Sequence, residues 1–303
     1  MAIEKQLTHI GCVIKPQFSL ANLTTFKVGG SAEWFAAPRT LDELQSCVQW
    51  ANGEGLPITR LGAGSNLLIS DRGLPGLVIC TRYLRQTEFD DTGQVTAAAG
   101  MPMATLAWQV AKRGWTGLAW SVGIPGTVGG AVVMNAGAHG SDTQTILVST
   151  QVLNLDGSLV TLTPDQLQFK YRTSMLQSDP RIVTQATFQL QPGHDPKTVR
   201  AETVADLEQR RSTQPYHLPS CGSVFRNPQA KSAGWLIEQS GLKGFKIGQA
   251  QVAERHANFI LNCGGATAND IFRLIRHIQG IVDAKWSLML RPEVQILGEF
   301  QTV

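Results

Sequence analysis

The chain has 303 residues, 43% of them hydrophobic and 16% charged, a composition that fits a soluble globular protein of two or three domains. Its 26 basic and 23 acidic residues leave a formal charge of +3, spread along the chain with few basic doublets such as Arg210-Arg211, so no nucleic-acid partner is expected. The five cysteines, at 12, 47, 80, 221 and 263, fall in no CxxC or other metal spacing and read as reduced thiols in a cytoplasmic compartment.

The elements follow in chain order. A helix is expected over Leu41–Asn52, with Thr40 as N-cap and Glu43 closing a capping box. Pro57–Leu61 and Leu77–Cys80 read as short strands. Gln94–Ala99 is a strand after an Asp-Asp-Thr-Gly turn, and Met103–Gly114 is a helix with Leu106, Ala107, Val110 and Ala111 on one face. Gln151–Leu155 and Leu159–Leu162 flank Asp156-Gly157-Ser158, a hairpin signal. Arg181–Leu190 is a further strand, and 191–196 reads as a linker. Helices are expected over Lys197–Arg211 and Ala233–Gln239, and a strand over His256–Leu261. Thr267 then caps a long helix with Ile271, Leu274, Ile275, Ile278, Ile281 and Val282 on one side, before a last strand, Met289–Leu297. The class is α+β.

Residues 114–141 hold no Asp, Glu, Lys or Arg, but their eight glycines and Pro125 leave no unbroken apolar run of helical length. No membrane span and no signal peptide are expected. Two glycine-rich stretches stand out. Gly62-Ala63-Gly64-Ser65-Asn66 follows a strand and could turn its N–H groups on a phosphate, although it lacks the third glycine of a Rossmann fingerprint and the lysine of a Walker loop; an ordinary tight turn fits it equally. Gly123-Ile124-Pro-Gly126-Thr-Val-Gly129-Gly130, walled by apolar residues, would allow close backbone approach to something flat or anionic, or simply tight internal packing. Together they suggest a diphosphate-bridged dinucleotide held without a Rossmann unit.

Six stretches then occur in one order: Asn22-Leu-Thr-Thr-Phe-Lys-Val-Gly-Gly30, Leu61–Asn66, Gly123–Gly130 running on to Asn135-Ala-Gly-Ala138, Tyr171-Arg172-Thr-Ser174, Gly222-Ser223-Val-Phe-Arg-Asn227-Pro, and Arg291-Pro-Glu293-Val-Gln-Ile-Leu-Gly298. In these the chain resembles the UDP-N-acetylenolpyruvoylglucosamine reductases, also called UDP-N-acetylmuramate dehydrogenases, over nearly its whole length. The resemblance implies a two-subdomain FAD-binding domain of the p-cresol methylhydroxylase / vanillyl-alcohol oxidase type plus a smaller α+β substrate-binding domain. The expected boundaries are 1–84 and 85–196 for the FAD subdomains and 197–303 for the substrate domain, with the last strand returning to the active site. It also implies non-covalent FAD, NADPH as reductant, and reduction of UDP-N-acetylglucosamine enolpyruvate to UDP-N-acetylmuramate for peptidoglycan. A monomer is expected. Only Met175–Arg181 separate Ser174 from the next strand, so the chain resembles the shorter subtype, without the substrate-clamping insertion.

The implied chemistry needs polarisation of a carboxylate and a proton for the neighbouring carbanion. Arg172 matches the family's catalytic arginine, and a guanidinium can grip a carboxylate through two hydrogen bonds. Ser223 matches its proton donor. Glu293, if protonated by burial beside another carboxylate, could donate a hydrogen bond to the developing charge. Without the resemblance these would read as an ion pair, a turn serine and a surface acid. Tyr171 and Asn227 are substrate candidates. Gly62, Ala63, Gly64, Ser65, Asn66, Gly123, Ile124, Gly126, Gly129 and Gly130 are FAD candidates. Arg211 or Gln214 could meet the UDP diphosphate. The histidines fall at no metal spacing, so no metal is expected. Cys221 invites a nucleophile reading, but no Cys-His-Asn set accompanies it. The alternatives are another FAD oxidoreductase of the superfamily, in which His139 is the nearest covalent tether, and a non-catalytic sugar-nucleotide binding module.

Overall fold

A computed structural model describes residues 11–301. In chain order the elements are β1 (Ile14–Ser19), β2 (Ser31–Ala36), α1 (Leu41–Gly53), β3 (Ile58–Leu61), β4 (Leu67–Ile69), β5 (Leu74–Cys80), β6 (Thr87–Phe89), β7 (Gln94–Ala98), α2 (Met103–Lys112) and α3 (Val128–Met134). After a small hairpin come β8 (Leu147–Leu153), β9 (Leu159–Leu162), β10 (Ile182–Gln189), α4 (Pro196–Thr213), α5 (Ala233–Gln239), β11 (Lys246–Ile247), β12 (Ala250–Val252), β13 (Ile260–Asn262), α6 (Ala268–Trp286) and β14 (Gln295–Leu297).

Contacts sort these into two units that interleave along the sequence. Among the described residues unit 1 comprises 11–16, Trp34–Ala63 and Gly76–Arg210; unit 2 comprises Gln17–Glu33, Gly64–Pro75 and 211–301. This partition differs from three consecutive regions. Both sequence boundaries, after 84 and after 196, fall inside unit 1.

Unit 1 carries a sheet of order β1-β2-β5-β3 and an antiparallel sheet of order β9-β8-β10-β7-β6. The hairpin signal is met: β8 pairs β9 from Thr150↔Leu162 to Leu153↔Leu159. The strand β8 starts earlier than its apolar run suggests, because Leu147 already pairs with Phe188 of β10. The apolar face of α2 is buried as read, with Leu106, Ala107, Val110 and Ala111 at 1% exposure or less. Trp115 and Trp120 lie in the same core. At α1, half of the expected capping box forms. Thr40 accepts from the Glu43 N–H, but the Glu43 carboxylate accepts from the Arg39 N–H instead of that of Thr40.

Unit 2 packs α5 and α6 with a small sheet of order β11-β12-β13, and pairs β4 with β14 in parallel. The segments Gln17–Glu33 and Gly64–Pro75 belong here for stated reasons. The Asn262 amide donates to the Phe26 carbonyl at 2.9 Å, and β4 lies in register with β14. Three expectations are corrected. Ile281 is 37% exposed, while its fellows on α6 are at 0%; 3.6-residue spacing puts it at the edge of the stripe. The ladder expected from His256 begins only at Ile260. Met289–Leu297 enters a ladder only at Gln295, preceded by a lone bridge between Pro292 and Phe225.

The N-terminus of α6 is capped from two directions. Thr267 and Asp270 form the expected capping box. Asp71, in the Gly64–Pro75 segment, accepts from the N–H groups of Ala268 and Asn269, both at 2.9 Å. Among the described residues no helix is long and apolar enough to cross a membrane, and no cluster of His, Cys, Asp or Glu could hold a metal. Replacing Asp71 by Ala strips two helix N–H groups of their acceptor and should cost about 1–2 kcal/mol. Urea unfolding followed by tryptophan fluorescence measures this; no change in midpoint would mean Asp71 does not anchor α6.

Candidate functional site

In unit 2 the stretch Pro219–Pro228 is held by backbone bonds on two sides. Gly222 takes φ +82°, a left-handed turn that a side chain would disfavour. After it the chain extends through Ser223. On one side Asn258 grips it: the Val224 N–H donates to the Asn258 carbonyl at 2.8 Å, the Phe225 N–H donates to Asn258 Oδ1 at 2.9 Å, and Asn258 Nδ2 donates to the Phe225 carbonyl at 2.8 Å. On the other side Glu293 N–H donates to the Val224 carbonyl at 2.7 Å, and Arg226 N–H donates to the Arg291 carbonyl at 3.0 Å. Ser223 and Glu293 therefore stand on adjacent, hydrogen-bonded stretches. Asn66 braces the same place, its amide donating to the Glu293 carbonyl at 3.1 Å and its carbonyl accepting from Gln295 N–H.

Cys221 is 5% exposed, and its thiol is pushed far above the ordinary range by burial and then by the nearby Glu293 carboxylate. It is a neutral core side chain. Asn227 is exposed, and its Oδ1 accepts from the Ala233 N–H at the start of α5. Asn258 carried no functional expectation. Its signal was a carboxamide inside an otherwise apolar run, which is buried only where its bonds are met.

In unit 1, Tyr171 and Arg172 form the tip of a two-residue turn closed by mutual Lys170–Thr173 backbone bonds. Tyr171 is exposed. Arg172 sits at φ +55°, a conformation that costs a non-glycine residue roughly 1 kcal/mol or more. Its surroundings hold it there. Arg172 Nη2 donates to the Gly137 carbonyl at 2.6 Å, the Arg172 carbonyl accepts from Gln177 Nε2 at 2.9 Å, and the guanidinium lies 5.1 Å from the Tyr171 ring centre. The platform beneath is the C-terminus of α3, where buried Asn135 donates to Asp142 and to the Lys170 carbonyl and Ser174 donates to the Val133 carbonyl.

The two glycine loops differ in kind. At Gly62–Ser65, where the chain leaves unit 1, the four N–H groups have no acceptor among the described residues, although Gly64 is buried. Arg82 fixes the loop by donating to the Ala63 carbonyl at 2.8 Å. Gly64 takes φ +67°, and a Cβ there would lie 2.1 Å from the Leu23 carbonyl oxygen. A buried N–H without an acceptor, such as that of Gly64, is what an anionic diphosphate would complete. In the second loop several donors are met internally. Gly129 N–H donates to the Ala99 carbonyl at 2.9 Å, and Gly130 N–H to Thr127 Oγ1 at 3.4 Å. The Gly126 carbonyl accepts from Met103 N–H, and Ile124 N–H donates to Ser121. Gly123 lies against the Arg210 side chain. This loop offers a bare surface more than a ring of donors. His139 lies in the hairpin after α3, its Nδ1 3.7 Å from Asp206.

Comparison with known proteins agrees with these features. A family model described as an FAD binding domain matches residues 32–163, and one described as the C-terminal domain of UDP-N-acetylenolpyruvoylglucosamine reductase matches residues 214–297. Berberine-bridge-enzyme-like protein 1 of Physcomitrella patens shares the fold at 20% identity, with a TM-score of 0.51 over 63% of this chain and 45% of that one. The chain thus carries an FAD-binding domain followed by an α+β domain of the kind found at the C-terminus of a UDP-sugar reductase. A UDP-N-acetylenolpyruvoylglucosamine reductase from a Nostoc strain is 62% identical over 97% of this chain and 89% of its own. The crystal structure of that enzyme from Thermus caldophilus superposes with a TM-score of 0.82 at 33% identity, covering 95% of this chain and 100% of its own. The chain belongs to the UDP-N-acetylenolpyruvoylglucosamine reductase family.

Replacing Asn258 by Ala orphans two buried backbone groups of Phe225 and should cost about 2–4 kcal/mol of stability. Chemical denaturation reads this directly; a loss under about 0.5 kcal/mol, the range of an ordinary surface change, would refute the clamp.

Proposed function

We propose that the protein reduces the enolpyruvyl ether of UDP-N-acetylglucosamine to UDP-N-acetylmuramate, with NADPH as the electron source. The observation that supports the assignment of roles is the stretch held on two sides, in which Ser223 precedes Val224 and the Val224 carbonyl accepts from Glu293 N–H. FAD, when bound, supplies the hydride it has taken from NADPH. The Gly62–Ser65 N–H groups suit its diphosphate, and the donor-poor face of Gly123, Ile124, Gly126, Gly129 and Gly130 suits a flat ring system. Functionally, 1–84 and 85–196 serve as the FAD subdomains and 197–303 as the substrate domain, to which Gln17–Glu33 and Gly64–Pro75 add by packing.

The chemistry of the chain's own residues follows from where charge develops. Hydride adds to the terminal carbon of the double bond, and the electron pair moves to the neighbouring carbon and on into the carboxylate. Arg172 opposes that charge with a guanidinium already oriented by Gly137, so little reorganisation is needed as the charge builds. Ser223 Oγ–H gives its proton to the carbanion, which closes the C–H bond and completes the addition of one hydride and one proton. A hydroxyl suffices because the base it meets is strong. Glu293 in its protonated form hydrogen-bonds the substrate carboxylate. Tyr171 contributes an exposed ring to the substrate. Asn227 can offer its amide nitrogen to the nucleotide while its oxygen holds α5. A cytoplasmic monomer without nucleic-acid partners completes the reading.

Anaerobic mixing tests both halves. NADPH should bleach the flavin absorbance, and UDP-N-acetylglucosamine enolpyruvate should restore it; failure of restoration would falsify the reaction. Ser223→Ala should leave bleaching nearly intact and slow restoration by about 10²–10⁴-fold. Cys221→Ser should leave both steps within about threefold, because a neutral thiol in the core takes no part. Equal loss in both half-reactions for Ser223→Ala would make the hydroxyl structural.

A further inference from the structure

A cavity of about 640 Å³ in unit 2 is lined by Arg211, Gln214, Tyr216, His217 and Arg255. Its volume lies within the roughly 300–1,000 Å³ range of small-molecule sites, enough for a nucleoside with its phosphate. Its chemistry is one-sided. Two guanidiniums share it, neither has an acidic partner within ion-pair distance among the described residues, and none of the five lining residues is an acid. Such a site attracts a compact dianion, because each guanidinium can meet phosphate oxygens through its fork. Gln214 is oriented for the same task. Its Oε1 accepts from the Tyr216 hydroxyl at 3.1 Å, which leaves its NH₂ as the donor. The Tyr216 ring is 51% exposed, a face on which a base can stack.

Sites that prefer NADH place a carboxylate on the adenosine ribose 2′-hydroxyl, whereas sites that prefer NADPH place an arginine on the 2′-phosphate. The cavity has the second donor set and lacks the first. No second dinucleotide glycine fingerprint occurs in the sequence, so discrimination has to come from side chains. A phosphate monoester presents three terminal oxygens and close to two charges near neutral pH, which two guanidinium forks and an amide can share. We propose that this cavity is a nucleoside-phosphate subsite that takes the adenosine 2′-phosphate of NADPH and so selects it over NADH. This rests on NADPH being the reductant. The nucleotide sugar also carries a phosphorylated nucleoside, so the test must separate the two.

Calorimetry on the FAD-loaded enzyme does so without turnover, using adenosine 2′,5′-bisphosphate, 5′-AMP and UDP as probes. Wild type should bind the bisphosphate at least about tenfold more tightly than 5′-AMP, the scale of one charge-assisted hydrogen bond. Arg255→Ala should remove most of that preference, Arg255→Lys should keep part of it, and UDP affinity should change less than about threefold in both. Flavin bleaching should show the NADPH-to-NADH preference falling in step. Unchanged melting temperatures, expected for these exposed positions, confirm that the variants fold. An unaltered preference in Arg255→Ala overturns the subsite. UDP losing as much affinity as the bisphosphate overturns it too, in favour of a seat for the nucleotide sugar. Because the probes neither reduce nor reoxidise the flavin, a failed half-reaction and a failed subsite give different results.

Discussion

The bonds that Asn258 and Glu293 make to Val224 and Phe225 set the geometry of unit 2. Four backbone groups of a stretch that belongs to no sheet are satisfied by one buried carboxamide, one carbonyl and one N–H. Buried backbone polar groups must find partners, so this stretch has one low-energy path. Everything proposed for the chemistry of this unit hangs on that path. Ser223 is the residue just before the clamped pair, and Glu293 is itself one of the clamping residues. A hydroxyl on a loose turn would spend much of its time misplaced, and a misplacement of about 1 Å can cost roughly 10²-fold in rate.

The same accounting separates the two glycine loops. Both look alike in sequence, as glycines among apolar residues. In one the N–H groups have no acceptor among the described residues, and in the other several are met by Ala99, Met101 and Thr127. Glycine there lets a helix start close against a strand, which a Cβ at Gly129 would prevent by meeting Ala99 at 3.0 Å. The fold thus uses the donors of the two loops to different extents, a difference that residue type alone does not reveal.

Local rules were legible where local physics decides. Thr267 with Asp270, the apolar face of α2, and the hairpin around Gly157 follow from neighbours a few residues away. What stayed hidden depends on partners far along the chain. The interleaving of the two units rests on contacts such as Asn262 with Phe26, separated by 236 residues. Glu43 satisfied Arg39 instead of Thr40 because two N–H groups competed for one carboxylate. Asn66 read as a cofactor donor, yet its amide reaches the carbonyl of Glu293, 227 residues away. The anion-friendly cavity was half visible, since Arg211 and Gln214 lie near the Gly-Ser motif; Arg255 joins them only through the fold.

Cys221 and Ser223 show how environment overrules residue type. By intrinsic chemistry the thiol is the better nucleophile and the better acid. Both roles require a stable thiolate, and the thiolate is what this position forbids. The side chain lies in the buried cluster that holds Phe26, Val224 and Leu290, and burial disfavours its charged form. The serine two residues on needs no ionised resting form. The role proposed for it asks only that it be held in place, and the bonds to Val224 and Phe225 restrain the stretch it belongs to. The glycine between them lets one residue turn into the core and the other away from it.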